Sequence, residues 1–232
     1  MNTRYDEDQT PLHVASQLGQ LGITRSLIDR GANLNSENAN KETPLFMASR
    51  NGDIEITRLL LEKSANVNHL DLDKRTPLHE ASEKGHHLVA QLLLDFEANC
   101  NAKHKYDWTP LHLASRTGNS AVVQVLLDRG AEVDVPNMSK WTPLHMASQK
   151  GHVEVVKLLL ARNPRVDAKK ADGETALHLA AYYGHVQVVG LLIGHNADQR
   201  IRNNEGETAL GLAVVNGHEN VVPLFEPGIG GG

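Results

Sequence analysis

A Thr-Pro-Leu or Thr-Ala-Leu triplet recurs at Thr10, Thr43, Thr76, Thr109, Thr142, Thr175 and Thr208, and every interval is 33 residues. No insertion or deletion breaks the phase. A period of that length commits a chain to a stacked array, because each copy is too small to bury a core and must lean on its neighbours. The 232 residues would by length alone make one or two ordinary domains.

The unit is most legible at Trp141–Leu160, WTPLHMASQKGHVEVVKLLL. Thr142 is placed to accept a hydrogen bond from an orphan amide at a helix N-terminus. Pro143 follows at the first helical position, where its fixed φ helps and its missing N–H costs nothing. Leu144 and Ala147 share a face at i, i+3, and Gly151 supplies the left-handed stop. A second helix is expected from about Val153 to Ala161, apolar nearly all round except for Glu154 and Lys157, so it must be sandwiched. Neither helix could stand alone, since isolated helices under about 12–15 residues are marginal in water. Burial of roughly 1.5–3 kcal/mol per Leu or Val offsets the ordering entropy only when both flanks are covered.

These residues strongly resemble the ankyrin repeat: Thr-Pro-Leu-His, then Ala, then Gly-His, then Leu-Leu, often followed by Gly-Ala. The resemblance covers residues 6–226 and implies an all-α solenoid of stacked helix-turn-helix units joined by β-hairpin or turn loops. The expectation is one domain over 1–226, with repeats beginning near 6, 39, 72, 105, 138, 171 and 204, and a flexible Gly-rich tail over 227–232. The connections carry turn chemistry, clearest at Asp172-Gly173. The last repeat reads as truncated: Gly211 replaces the signature histidine, and Pro223 should leave its second helix short or kinked. That defect suggests a piece of a longer array, and the alternative reading is the targeting or substrate-recruiting part of an enzyme or effector whose catalytic part lies elsewhere.

Net charge is −5 with a pI near 6.2, so no broad basic surface awaits nucleic acid or anionic membrane. The single cysteine, Cys100, falls where other units carry Leu34, Val67, Val133 and Val166, and reads as a small buried hydrophobe. With no partner for a disulfide, it fits a reducing, intracellular setting, cytoplasmic or nuclear. The opening MNTRYDEDQ lacks the apolar core of a secretory signal, and no apolar run is long enough to span a bilayer.

Thirteen histidines invite a metal or acid–base reading, but phase explains most of them. His13, His79, His112, His145 and His178 follow the Thr-Pro-Leu or Thr-Ala-Leu signature, and the resemblance implies that they tie one unit to the next. His86, His152, His185 and His218 follow the glycine. Same-type histidines lie about 8–10 Å apart by helix packing distances, too far to share a zinc ion bound at about 2.0–2.1 Å. The recurrent glycines are single helix stops rather than a phosphate-cradling loop. Ser16, Ser49, Ser82, Ser115 and Ser148 recur in phase, as packing or a local hydrogen bond would require. No catalytic group, metal or cofactor is expected.

Identity resides where the units differ. The resemblance implies a concave groove formed by turn tips and the exposed side of each first helix, at −4, −3 and −1 from each Thr and at +7 and +8. Five aromatics fall there: Tyr106, Trp108, Trp141, Tyr182 and Tyr183. Arg116, Met138 and Lys150 share the zone. At about 150–250 Å² each, the rings amount to on the order of 1,000 Å², beyond the roughly 300–600 Å² patch of a typical monomer. Either they cover one another and brace the turns, or they face a partner. The expected occupant is a protein or peptide bound by a monomer, with no role for nucleic acid or membrane; a purely structural spacer is a further reading. In ankyrin repeats, asparagines placed like Asn35, Asn68 and Asn101 can be hydroxylated by an asparaginyl hydroxylase; the alternative is a turn residue bonding its own backbone.

Overall fold

The computed structural model describes residues 8–225; the Gly-rich segment 227–232 lies outside the described residues, as do Asp6 and Glu7. Six helix pairs follow one another: α1 (Pro11–Gln17) with α2 (Leu21–Asp29), α3 (Pro44–Asn51) with α4 (Ile54–Glu62), and α5 (Pro77–Lys84) with α6 (His87–Asp95). Then come α7 (Pro110–Thr117) with α8 (Ser120–Asp128), α9 (Pro143–Lys150) with α10 (Val153–Leu160), and α11 (Ala176–Tyr182) with α12 (Val186–Gly194). A thirteenth helix, α13 (Ala209–Val215), is followed by a single 3-10 turn, Val222–Leu224. Pro223 thus leaves one short turn where the other units place a second helix, as its missing N–H requires.

The first helix of each unit starts and stops for the reasons read from the sequence. The Thr142 hydroxyl accepts from the His145 amide, and Gly151 ends α9 at φ 72°. Ala176 and Ala209 start their helices without proline. Helices of this length are held by packing. The first helices form one layer, closely approached through Ala48, Ala81, Ala114 and Ala147, none of which has any exposed surface. The second helices form the other layer, and one continuous core runs between them from Leu12 to Phe225. Thr24 is buried while Arg25 and Ser26 face solvent on the first unit's open flank.

Between units the chain makes tight turns, and the described residues form no β-strand, only an isolated bridge between Arg202 and Thr208. Each turn closes by a pair of backbone bonds, as from the Asn137 amide to the Trp141 carbonyl and from the Lys140 amide to the Asn137 carbonyl, both at 2.9 Å. Gly173 takes φ 82° in the turn read from Asp172-Gly173. Each tip is tied to the next by a further backbone bond, among them Lys105 to Asp73 at 2.9 Å and Met138 to Tyr106 at 3.3 Å. The tips therefore make a ribbon along one edge of the stack.

Candidate functional site

The turn geometry aims the residue just before each Thr. In the fifth unit the Asn137 Oδ1 accepts from the Ser139 and Trp141 amides, both at 2.9 Å. In the fourth, His104 Nδ1 accepts from the Tyr106 amide at 3.0 Å. Trp108 and Trp141 are thereby carried beside the first helices α7 and α9. Between them lies a cleft of about 690 Å³, within the roughly 300–1,000 Å³ of ligand sites. Its floor is the half-buried indoles with the buried Leu113 and Met146; its rim is the exposed Tyr106, Met138 and Lys150.

Six of the residues predicted from the sequence line this one cleft: Tyr106, Trp108, Arg116, Met138, Trp141 and Lys150. Met138 is 67% exposed and Tyr106 55%, so neither is spent on the core. Tyr182 and Tyr183 stand apart. Their rings meet edge to face at 4.9 Å, and Tyr183 stacks on His185 at 6.1 Å. The Tyr183 hydroxyl accepts from Gln149 Nε2 at 3.4 Å, and Gln149 lines the cleft.

The tryptophans divide their labour by atom. Their backbone carbonyls brace the stack: His79 Nε2 donates to the Trp108 carbonyl at 3.1 Å and His112 Nε2 to that of Trp141 at 3.0 Å. Their indoles do not stack on each other; Trp108 lies parallel to His104 at 5.9 Å. Each ring of the cleft carries a resident cation: Arg116 over Trp108 at 4.8 Å, Lys105 over Tyr106 at 5.0 Å and Lys170 over Trp141 at 4.9 Å. Such contacts are worth about 0.5–2 kcal/mol and fix where the charges sit.

Two features of the site escape a reading by position. Glu80 is 3% exposed in a slot where the other units carry Val14, Met47, Leu113, Met146, Leu179 and Leu212. It bonds Arg50 and Arg75, each at 2.8 Å. Arg50 also pairs with Glu42, and Arg75 with Glu83, which in turn holds Arg116. An ionic chain therefore runs across three units and ends at the guanidinium over Trp108. Nearby Arg75 and Arg116 charges hold the Glu83 carboxyl below its usual range, against the opposing effect of its burial. The second feature is Lys170, 8% exposed, which pairs with Asp172 and, at 2.8 Å, with Glu174. It stands where Asn137 accepts turn amides; a lysine cannot accept, and Asp172 Oδ1 receives the Glu174 amide instead. A charged residue in an otherwise apolar slot was the available signal for Glu80, and a cation in a slot that elsewhere holds the acceptors Asn38, Asp71, His104, Asn137 and Asn203 was the signal for Lys170.

The signature histidines act as expected between units. In His13, His79, His112, His145 and His178 the Nδ1 accepts from the backbone N–H of the preceding Thr, at 3.1–3.3 Å. That leaves the proton on Nε2, which donates to the next unit's carbonyl in His13 (Glu42, 2.9 Å) and His178 (Glu207, 3.2 Å) as well as in His79 and His112. His145 is the exception, its buried Nε2 facing the Ala168 and Glu174 backbone outside close hydrogen-bond geometry. Burial drives these rings towards the neutral form, with the pKa lowered to about 3 in His79 and about 4 in His112 and in His145. His86, His152, His185 and His218 reach the other way, each Nε2 bonding a carbonyl of the preceding unit at 2.8–3.1 Å.

Asn35, Asn68 and Asn101 do not bond their own turns. Their Oδ1 atoms accept the amides of Asn66, Asn99 and Glu132 in the following unit, at 2.8–2.9 Å. The turn bonds belong instead to Asn33, Asn66 and Asn99, two residues earlier. Cys100 is half-buried rather than buried, with Sγ 3.5 Å from the Arg129 carbonyl, and burial pushes its thiol pKa up. The five in-phase serines are buried with no hydrogen-bond partner, so packing alone explains them. No group of three or more potential ligands among the described residues could hold a metal ion.

The profile described as "Ankyrin repeats (3 copies)" matches residues 1–71, 64–137, 91–170 and 144–229. The chain belongs to the ankyrin repeat family, a fold whose members generally serve protein–protein interaction. Among solved structures it is similar to the human ASB11 ankyrin repeat domain, at 30% identity and a TM-score of 0.84, covering 94% of this chain and 99% of that one. It is also similar to the ankyrin repeat domain of Bcl-3, a member of the IkappaB family, at 29% identity and a TM-score of 0.80 with the same coverage. A search of curated proteins returned no match. No helix among the described residues is long and apolar enough to cross a membrane.

Proposed function

We propose that this chain is a non-catalytic interaction module, a single array over 1–226 that acts as an intracellular monomer and binds a protein or peptide on the cleft between Trp108 and Trp141. One observation carries the reading: six side chains separated by up to 44 positions (Tyr106 to Lys150) converge on one cleft and leave aromatic and methionine surface exposed. Aromatic residues and Arg are the usual anchors of interfaces, and Tyr182 and Tyr183 extend the same surface through Gln149. The histidines and serines that resemble catalytic groups are consumed by packing and by ties between units. Hydroxylation of Asn35, Asn68 and Asn101 is a separate proposal, read by peptide mass spectrometry for an added oxygen.

The test is capture of a partner by wild type and by Trp108→Ala/Tyr183→Ala. Loss of a specific partner from a variant with an unchanged melting curve is the expected result. Undiminished capture by that variant counts against the cleft.

A further inference from the structure

Four cations, Arg75, Lys105, Arg116 and Lys150, line the cleft against two carboxylates, Asp73 and Glu83. The chain as a whole is acidic, with net charge −5, so this excess is local. Glu83 is occupied by Arg75 and Arg116, and Asp73 by Lys105 at 2.6 Å. Lys150 is exposed on the rim and meets no carboxylate among the described residues. The three rings already hold the cation that an aromatic cage would otherwise take from a ligand. A cationic partner would therefore find each ring face already taken by a cation. The apolar floor of Trp108, Trp141, Leu113 and Met146 asks for an uncharged side chain.

We infer that the occupant of the cleft is an acidic linear peptide segment, seating an apolar side chain between the two indoles and setting a flanking Asp or Glu against Lys150. This rests on the proposed interaction function and names the chemistry of its partner. The Arg116 guanidinium, fixed over Trp108 by Glu83, supplies a second positive edge along the same line. Lys105 lies over the Tyr106 ring, its charge shared with Asp73. An extended segment crossing from α7 to α9 would pass these charges in turn.

The experiment is selection of a random dodecapeptide display library on the full chain, followed by titration of resynthesised binders against wild type, Lys150→Glu and Lys150→Gln. Lys150 is exposed at the end of α9, so both variants keep the fold, which circular dichroism verifies. Enrichment of Asp and Glu beside Leu, Met or Phe is expected. Those peptides should weaken about tenfold or more with Lys150→Glu, less with Lys150→Gln, and further as salt is raised. Enrichment of basic or neutral sequences, or affinity indifferent to Lys150, overturns the acidic assignment and leaves the interaction function standing. A selection yielding no binder overturns it also, with the Trp108→Ala/Tyr183→Ala capture deciding the broader reading separately. Tight, salt-sensitive binding of single-stranded RNA at the same cleft would overturn both.

Discussion

At the scale of single residues, the signature histidines that look most like chemistry are structural because, in all but His145, both ring nitrogens are spoken for. Nδ1 must stay unprotonated to accept the Thr amide, and Nε2 carries the only proton. A second proton would break the first bond and place a charge in a site that burial already disfavours. The linkage sign follows. The unfolded chain takes up protons at the ordinary value of 6.5, whereas His79, His112 and His145 resist until about 3 or about 4. Between those limits the unfolded state binds more protons, so stability is full above 6.5, falls as the pH drops towards 4, and then levels for these groups. Urea midpoints at pH 7 and pH 5 should show that loss. His112→Phe, which copies Phe46 in the second unit, should reduce it; an unchanged pH dependence would contradict the account. The glycine before the second set is fixed by space as well as by φ: a Cβ on Gly151 would come within 2.7 Å of the His185 ring.

At the scale of helices, phase made the fold legible and nearly every boundary with it. Thr-Pro or Thr-Ala marked the start of each first helix, a left-handed Gly at or just past its cap the stop, and Pro223 the missing final helix. The aromatic part of the site was legible for the same reason, since a residue just before the Thr is delivered to the same edge in every unit. Position alone did not reveal the role of Glu80, because its partners come from different places in sequence: Arg50 lies 30 residues before it and Arg75 only five. Nor could it separate Tyr182 and Tyr183 from the cleft. The sixth turn ends in Glu174 and holds Lys170, so no third indole continues the floor towards them. One helix position is open to improvement. Gly190 is exposed within α12, with nothing within 4 Å of a Cβ there, where the equivalent residues are Arg58, Gln91, Gln124 and Lys157. Gly190→Ala should stabilise by about 0.5–1 kcal/mol, read as a raised urea midpoint with unchanged slope.

At the scale of the whole molecule, the ionic chain from Glu42 through Arg50, Glu80, Arg75 and Glu83 to Arg116 connects the second, third and fourth units. Its arginines are partly exposed, at 35%, 22% and 37%, which discounts each pair towards surface values. Glu80 itself is buried, so its removal leaves two guanidiniums to redistribute over Glu42 and Glu83. Glu80→Ala should destabilise by about 1–3 kcal/mol, combining a cavity with lost pairing. Glu80→Met, which restores the volume found at Met47 and Met146, should cost distinctly less. Equal losses in the two variants, measured by chemical denaturation, would show that charge rather than volume sets the cost.

The two sets of histidines tie successive units in opposite directions, and they do so unevenly. The junction between the fourth and fifth units has both ties, His112 to Trp141 and His152 to Arg116. The junction after it has the return tie from His185 to Gln149, while His145 Nε2 faces the Ala168 and Glu174 backbone outside close hydrogen-bond geometry. The joints of the array are therefore not interchangeable: where Phe46 replaces the signature histidine, the second unit too is held to the third by the return tie alone, from His86 to Arg50.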